Sequence, residues 1–534
     1  MCFKDCYGHL ELDKPFQKTN FVRSSVGISA IVVFGYIFSF VQSAVFASLF
    51  GLTYEADAYV IAAQIPLILF AVIAVGVRTV ILPIYTKRLM ENGESHANLF
   101  VRNILTIALL LASIFALIGI ILAEPIVFLF APGFDTQTHN LTVKILKIIF
   151  PIIIFTIQSD IYNAILNTRR VFFWPQMASY IKNLSQILVL LVFASQFGIY
   201  GAAIGLLSGT ILQSIYLVLL ASKHFVYRPF LDIHDPDVHK VGKLILPVTI
   251  GISIAQIKSF IERNIASGLN IGSIAALNYA SNINSIFSGL FVQAISTVIY
   301  PSFAEHVINK DFTSLNRLIN SVISGITLII LPIMGGLIIC NKELVAILLE
   351  RGFFDSNATS LTGSILIFYN IGLIFVIIRD IISRVFYSFN DTKTPMFNSS
   401  IGLIIQVLLS IPLSKVMGAP GLALASSISS AIICLQLIIN LKNKYDVYNL
   451  TKTINVLKKS SLATICMVGI LYIYGWINPI KNPIIVLLSY GVFGSVIYVV
   501  LLISMRTKEI LLLRIEVRKI ILTAGKKIFL LLGI

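Results

Sequence analysis

Charged residues are scarce in this chain. Asp, Glu, Lys and Arg make up 12% of the 534 residues, whereas hydrophobic residues make up 57%. Soluble globular domains carry about 25% charged residues, so a water-soluble fold is excluded. The apolar residues form continuous runs of about 20 residues instead of the alternating segments of about 10 residues found in membrane barrels. The sequence therefore predicts an all-α polytopic membrane protein.

Several kinds of site are also missing. The five cysteines (Cys2, Cys6, Cys340, Cys434 and Cys466) are scattered, without the spacing of a metal site or a disulfide framework. No GxxxxGK[ST] motif is present, so the energy source is expected to be an ion gradient or the membrane potential. The loops are too short to hold the acid and base groups of an envelope enzyme, and we expect no enzymatic activity.

Fourteen apolar runs predict transmembrane helices. We place them at 24–51, 57–84, 98–123, 140–165, 173–197, 199–222, 242–266, 273–303, 316–341, 358–387, 396–417, 420–441, 459–477 and 482–505. The first run is too long for a cleaved signal peptide, so we count it as span 1. Lys and Arg are concentrated in alternate loops and at both ends of the chain, which predicts cytoplasmic termini. The net charge of +16 is spread over these short loops and does not indicate nucleic-acid binding.

Three sequence matches indicate an internal repeat. TVILPIY at 79–85 recurs as TVIYPSF at 297–303, and GIYGAA at 198–203 recurs as GAPGLA at 418–423. Asp160 and Pro175 return as Asp380 and Pro395. The offset covers six spans, an even number, so the two halves have the same topology. We expect a pseudo-twofold axis along the membrane normal, with the translocation path between the halves.

The repeat divides the chain into seven segments. They are a cytoplasmic tail at 1–23, an N-lobe of spans 1–6 at 24–222, a cytoplasmic linker at 223–241, a C-lobe of spans 7–12 at 242–441, a basic cytoplasmic loop at 442–458, spans 13–14 at 459–505, and a C-terminal segment at 506–534. The last segment mixes basic and apolar residues. It is typical of an amphipathic helix on the anionic inner leaflet, although a frayed basic tail remains the alternative.

Ionisable residues at membrane depth are costly and normally pair or face a water-filled cavity. Lys258 and Glu262 lie four residues apart on span 7 and could neutralise each other as a structural ion pair. Arg78 in span 2 has no partner within four residues of its own helix. An unpaired guanidinium suits an anionic group such as a pyrophosphate, but Arg78 could also extend to the inner headgroups.

Five motifs resemble the MurJ/MviN family, the lipid II flippases. They are Phe50-Gly51 followed by DAY at 57–59 and IP at 65–66, GSIAALNYA at 272–280, LERGFFD at 349–355, RVFY at 384–387 with DTKTP at 391–395, and GLALA at 421–425. The resemblance extends through about residue 440. The expected fourteen spans also fit this family better than the twelve that are typical of the related multidrug extruders.

The resemblance implies an inward-open cavity lined mainly by spans 1, 2, 7 and 8, where arginines meet the pyrophosphate of the lipid carrier. It also implies a hydrophobic groove at spans 13 and 14 for the polyprenyl tail. Several expected arginines are missing, because their positions carry Tyr36, Gln42 and Asn282 here, and span 2 has Phe70 and Ala71. The predicted substrate-binding residues are Arg78, Lys258, Arg263, Gln42, Asp57 and Asn282.

A sodium site between spans 7, 11 and 12 is a further implication of the resemblance. Its positions match Glu262, Gln406, Ser410 and Ser426, where Gln406 and Ser410 stand in place of the usual Asn and Asp. The loss of a carboxylate weakens a cation site built on hard oxygens. Sodium, a proton and the membrane potential therefore all remain as driving forces, and we expect no other cofactor.

The resemblance predicts an alternating-access flippase that moves undecaprenyl-pyrophosphate-linked lipid II to the outer leaflet of the bacterial plasma membrane for cell-wall synthesis. The missing arginines leave open a second substrate, another polyprenyl-linked unit of the teichuronic, capsular or O-antigen type. A drug or cation antiporter would need an acidic cavity in the N-terminal half, which the sequence does not offer. Expected partners are the lipid-linked oligosaccharide, anionic inner-leaflet lipids and the cell-wall synthesis machinery.

Overall fold

The computed structural model describes residues 35, 37–169, 171–294, 299–447, 451–477 and 482–507, with the backbone alone at 71–80, 82, 92, 195, 242–255, 294 and 451–452. The regular elements in these residues are helices. They are α1 Ile37–Phe50, α2 Tyr54–Ile121, α3 Ala123–Phe130, α4 Thr136–Ile149, α5 Ile152–Thr168, α6 Phe173–Phe197, α7 Ile199–Ala221, α8 Pro236–Ser267, α9 Ser273–Ala294, α10 Tyr300–Ile308, α11 Phe312–Ile339, α12 Asn341–Leu349, α13 Ser356–Ser388, α14 Lys393–Met417, α15 Ala419–Tyr445, α16 Thr451–Ile477 and α17 Pro483–Ser504.

Within the described residues, 9 helices are long and apolar enough to cross a membrane, or up to 10 if the bent pair α4 and α5 forms one span. The prediction of an all-helical membrane protein is therefore confirmed. The predicted count of fourteen stays a prediction. Spans 1, 2, 7 and 8 fall partly on residues for which the structure gives no side chain or no placement.

Predicted spans 2 and 3 belong to one long helical element, α2, of 68 residues. Its helix is interrupted at Gly93, where φ is 79° and ψ is 179°. The predicted loop at 85–97 is therefore mostly helical, which extends α2 beyond the membrane on the predicted cytoplasmic side. The apolar pattern could not show this extension, since it reports only the part of a helix that lies in lipid.

The bounds of the helices repeat along the chain. Helices α6 and α14 have 25 residues each, and both end at a glycine with positive φ, Gly198 at 53° and Gly418 at 65°. Asp135 caps α4 by accepting from the amide of Gln137, and Asp355 caps α13 in the same way with Ala358. Asp135 and Asp355, like the two glycines, lie 220 residues apart. The duplication seen in the sequence therefore extends to caps and turns.

Buried apolar side chains form three clusters in the described residues. The largest fills the N-lobe and reaches the near ends of α9, α12 and α13. A second joins α11, α13 and α15, and a third joins α11 to α16 and α17. Helices approach closely where small residues meet, as at Gly402, whose carbonyl accepts from Ser429 Oγ at 2.7 Å. The N-lobe and the C-lobe meet mainly where α2 packs on α8 and on α9.

Candidate functional site

Helix α8 carries the charged residues that the sequence places in span 7. Lys258 Nζ donates a hydrogen bond to Ser426 Oγ of α15 at 3.3 Å. Glu262 Oε1, one turn further along, accepts from the hydroxyl of Tyr369 of α13 at 2.8 Å. Among the described ion pairs there is no direct contact between Lys258 and Glu262, although their charges interact. The two side chains therefore connect α8 to different helices of the C-lobe.

Arg263, the next residue, faces the N-lobe instead. Its Nε donates to Gln64 Oε1 of α2 at 2.9 Å, and Gln64 Nε2 donates to Asn278 Oδ1 of α9 at 3.4 Å. Arg263 Nη1 is buried and has no hydrogen-bond partner in the described residues. An unsatisfied buried donor costs about 1–3 kcal/mol. An anionic oxygen placed beside this guanidinium would relieve that cost.

Neutral side chains lie where α1 meets α9. Asn282 Nδ2 donates to Ser43 Oγ at 3.3 Å, and Gln42, half-buried, is the neighbour of Ser43 on α1. The structure thus brings the predicted substrate residue Asn282 to Ser43 of α1, which is next in the chain to the predicted residue Gln42. Asn282 and Gln42 can offer hydrogen bonds but no charge, and their part in substrate binding stays a prediction.

Asp57 lies at the start of α2 and is 4% exposed. Its Oδ2 accepts from the amide of Gly272 at 2.6 Å, and its Oδ1 accepts from the amide of Ala275 at 2.7 Å. The carboxylate thus caps the N-terminus of α9, where free amides and the helix dipole favour a negative group. This geometry gives Asp57 the role of joining the two lobes, and its predicted contact with substrate stays untested.

Glycines allow three turns to touch on the predicted outer side. Phe353 N donates to Ser48 O at 2.9 Å, and a Cβ added to Gly352 would lie 2.2 Å from that same oxygen. A Cβ on Gly51 would lie 2.3 Å from Phe353 O, and one on Gly272 would lie 2.5 Å from Leu52 O. All three glycines have positive φ. The sequence motifs contained these glycines, but their role in bringing distant backbones together became visible only in the structure.

A second interlobe contact lies on the predicted cytoplasmic side. Arg88 of α2 donates from Nη2 to Asp235 Oδ1 at 2.8 Å and from Nε to Asp237 Oδ2 at 2.6 Å. The linker before α8 is anchored on α2, since Asn103 and Asp232 exchange two hydrogen bonds of 2.6 and 2.8 Å. The linker thus joins the middle of α2, on the predicted cytoplasmic side, to the start of α8. Sequence reasoning did not single out these residues.

The predicted ion-coupling residues lie on α8, α14 and α15, and α8 packs against both of the others. Gln406 and Ser410 are 3% and 2% exposed, and Gln406 Oε1 has no hydrogen-bond partner in the described residues. Ser426 accepts from Lys258, and Glu262 already accepts from Tyr369. No group of three or more His, Cys, Asp or Glu suited to a metal ion occurs among the described residues.

Of the other predicted residues, Arg78 lies in the helical backbone of α2, and its side chain is outside the described part of the chain. Its role therefore stays a prediction. Asp380 of α13, one of the two aspartates of the internal repeat, pairs with the neighbouring Arg379 at 3.0 Å. Asp160 is buried in the middle of α5. The side chain of Asp380 is 32% exposed, so the two aspartates of the repeat differ in burial.

An apolar cavity of about 1020 Å³ opens between α11, α16 and α17. Pro332 and Gly336 of α11, Met467 of α16, and Gly491 and Tyr498 of α17 are among its lining residues. Its position at predicted spans 13 and 14 is where the resemblance implies a groove for a polyprenyl tail. Two of the lining residues are joined across it, since the hydroxyl of Tyr498 on α17 donates to the carbonyl oxygen of Leu328 on α11 at 3.0 Å.

Two lobes of long apolar helices, joined by polar contacts at both predicted membrane faces, have the architecture of a two-lobed helical membrane transporter. The MurJ family model, described as "Lipid II flippase MurJ", matches residues 46–502. The chain belongs to this family.

Relatives match along most of their length. The lipid II flippase MurJ of Thermosipho africanus is 30% identical over 482 residues, which cover 89% of this chain and 96% of that protein. The lipid II flippase MurJ of Burkholderia cenocepacia is 26% identical, over 80% of this chain and 84% of that protein.

A solved structure of lipid II flippase MurJ in an inward closed conformation matches with a TM-score of 0.78 and 27% identity, over 90% of this chain and 98% of that one. An inward-facing multidrug transporter of the MATE family matches with a TM-score of 0.63 at 15% identity, over 80% of this chain and 96% of that one. The second likeness shows a shared fold only.

Proposed function

We propose that this protein moves lipid II from the inner to the outer leaflet of the bacterial plasma membrane by alternating access, with both termini in the cytoplasm. The observation that carries this proposal is the guanidinium of Arg263 at the junction of α8, α2 and α9, whose Nη1 is buried and has no hydrogen-bond partner in the described residues. Family membership supports the same function.

The pyrophosphate is recognised by Arg263 together with neutral donors. A guanidinium can give two parallel hydrogen bonds to phosphate oxygens, and these are stronger than bonds from neutral groups. Gln64 and Asn278 already form a chain with Arg263, so a bound phosphate would rearrange contacts that join both lobes. Substrate binding is thereby linked to the relative position of the lobes.

The contacts between helices on the two sides of the membrane act as gates. The outer gate is the glycine-mediated contact of Gly51, Gly352 and Gly272 together with the cap from Asp57. The inner gate is the contact of Arg88 with Asp235 and Asp237. Alternating access requires that each gate opens while the other holds. The polyprenyl tail occupies the apolar cavity between α11, α16 and α17, which leaves the headgroup to cross between the lobes.

Complementation tests this function. In a strain whose own lipid II flippase is depleted, expression of this protein should restore growth and prevent accumulation of lipid II on the cytoplasmic side. An Arg263→Gln variant expressed at the same level should fail. Continued accumulation of lipid II in cells that make the wild-type protein would contradict the proposal.

A second substrate is favoured by one observation. Gln42 on α1 and Asn282 on α9 are neutral, whereas the resemblance places arginines at both positions. A polyprenyl-linked glycan of the teichuronic, capsular or O-antigen type would then replace lipid II. Rescue of a strain that lacks an exporter for such a glycan, without rescue of the lipid II flippase mutant, would select this alternative.

The basic C-terminal segment indicates a partner besides the substrate, the anionic lipids of the inner leaflet. The segment at 506–534 carries seven Lys and Arg residues and lies almost entirely outside the described residues. Basic amphipathic segments bind anionic inner leaflets, and we assign this segment to that surface. Contact with the cell-wall synthesis machinery remains part of the same proposal.

A further inference from the structure

The ion site implied by the resemblance does not suit a free sodium ion in this chain. Hard cations bind through several oxygen ligands, with carboxylates supplying the charge. Here Glu262 is the only carboxylate of the four predicted residues, and its Oε1 accepts from Tyr369 at 2.8 Å. The remaining oxygen ligands would be the side-chain amide of Gln406 and the hydroxyls of Ser410 and Ser426, which are all neutral.

An ammonium already lies at this site. Lys258 Nζ donates to Ser426 Oγ, one of the four predicted ligands, at 3.3 Å. The charge of Lys258 also interacts with the opposite charge of Glu262 and with the like charge of Arg379. A sodium ion bound to Ser426 would therefore meet a cation within hydrogen-bonding distance of its own ligand.

The buried polar groups around Lys258 suit an ammonium better than an ion that must shed its water. An ammonium has three donors and needs only acceptors. Gln406 Oε1 on α14, against which α8 packs, is buried without a hydrogen-bond partner in the described residues. Gln406 Oε1 is therefore an unused acceptor on a helix that packs against the helix of Lys258.

We propose that the ammonium of Lys258 is a covalently held replacement for the coupling cation, so that this protein works without sodium. The charge that connects α8 to α15 is then permanent and moves with α8 instead of being taken up from solution. This inference rests on the proposed transport function, but the occupancy of the site can be measured without any lipid substrate.

The first test is sodium binding by the purified full-length protein. Thermal unfolding is measured in sodium chloride and in choline chloride at equal ionic strength. The Tm of the wild-type protein should be the same in both salts. A double variant, Lys258→Met with Ser410→Asp, removes the ammonium and adds a carboxylate, and its Tm should rise specifically with sodium, since a ligand that binds only the folded state stabilises it. Lys182 is a partly buried lysine of α6 in the N-lobe. The variant Lys182→Met with Ser410→Asp is the matched control; it keeps Lys258, and its Tm should not rise with sodium.

The second test is transport in proteoliposomes that contain labelled lipid II. Replacement of sodium by choline should change the wild-type rate less than twofold. The transport rate of the Lys258→Met variant should be at least tenfold lower than that of the wild-type protein. The double variant should regain transport only when sodium is present. A wild-type protein that is stabilised by sodium, or a double variant that folds and gains no sodium response, would overturn the inference. Absence of transport by the wild-type protein in either salt would instead contradict the proposed function.

Discussion

The guanidinium of Arg263 donates to the side-chain oxygen of Gln64 at 2.9 Å, and this bond joins the first helix of the C-lobe to the second helix of the N-lobe. The two residues are 199 positions apart in the chain. Nη1 of the same guanidinium has no hydrogen-bond partner in the part of the chain that the structure describes. Arg263 therefore combines an interlobe contact with an unused donor, which is the combination needed by a residue that reports substrate binding to both lobes.

Substitution of Arg263 should stop transport without unfolding the protein. Arg263→Gln keeps a hydrogen-bond donor but removes the charge, and we expect at least a tenfold loss of lipid II flipping, since charge-assisted bonds to phosphate are worth about 1.5–3 kcal/mol. The flipping rate of Arg263→Lys should lie between those of the wild-type protein and Arg263→Gln, because lysine keeps the charge but lacks the planar guanidinium that gives two parallel hydrogen bonds. Flipping rates in proteoliposomes measure this, with the exposed Arg317→Gln as control. Equal rates for Arg263→Gln and the control would refute the assignment.

Gly352 should not tolerate a methyl group. A Cβ there would lie 2.2 Å from Ser48 O, and φ is +58°, where alanine is strained by about 1–2 kcal/mol. Gly352→Ala should therefore lower the free energy of unfolding by about 2 kcal/mol or more and weaken the outer gate. Thermal unfolding of the purified variant gives the measurement.

The control for this substitution is Gly325→Ala on α11. An added Cβ at Gly325 has no neighbour within 4 Å, and alanine is favoured over glycine inside a helix by about 0.5–1 kcal/mol. Gly325→Ala should thus leave stability unchanged or raise it. If both variants unfold at the same temperature, the glycine contact at the outer gate contributes nothing.

Filling the apolar cavity should impair transport of a lipid with a long tail. Gly491 lines the cavity between α11, α16 and α17, and an added Cβ there is free of clashes within 4 Å. Gly491→Leu should lower flipping several-fold with little change in Tm. Gly469 on the neighbouring α16 is equally unobstructed and is not among the lining residues. A wild-type flipping rate for Gly491→Leu, or an equal loss of flipping for Gly469→Leu, would show that the cavity does not bind the polyprenyl tail.

A carboxylate at the predicted cytoplasmic side should make stability depend on pH. Asp391 accepts from Lys444 Nζ at 2.6 Å and from Thr394 Oγ1 at 2.7 Å. Burial acts to raise the pKa of Asp391, but these hydrogen bonds outweigh it and hold the pKa well below its usual range. A lowered pKa in the folded state stabilises the protein above the unfolded value, near 3.9, and this contribution is lost as pH falls toward the folded value.

Asp391→Asn should therefore lower the Tm at neutral pH, with a loss of about 1–3 kcal/mol in the free energy of unfolding. The difference from the wild-type protein should shrink as pH falls below about 4. Thermal unfolding of both proteins across this range measures the effect. A difference that is constant with pH would show that the charge of Asp391 does not stabilise the fold.

Much of the fold could be predicted from the sequence because lipid imposes a local signal. The predicted span at 173–197 coincides with α6, Phe173–Phe197, and the span at 396–417 lies inside α14. Bends within a predicted span were harder to predict from the sequence. Predicted span 4 at 140–165 is divided between α4 and α5 at Pro151, because the apolar pattern continues through the bend. Composition reports burial in lipid, whereas a bend depends on backbone contacts.

The site was less accessible to sequence reasoning, since its contacts join distant positions. Asp57 and Gly272 are 215 residues apart, and Lys258 and Ser426 are 168 apart. Periodicity and spacing act over a few turns of one helix, so they suggested a pair between Lys258 and Glu262 instead. The resemblance placed Ser426 in an ion site, but only the structure placed the ammonium against it.

The most direct test of this account is the movement of lipid II across a sealed bilayer. Purified protein is reconstituted in unilamellar vesicles with labelled lipid II, and the fraction accessible to an added membrane-impermeant enzyme that cleaves the headgroup is followed in time. The account predicts that wild-type vesicles expose their inner-leaflet lipid II at a rate at least ten times that of vesicles with Arg263→Gln. An accessible fraction that stays the same as in protein-free vesicles would contradict it.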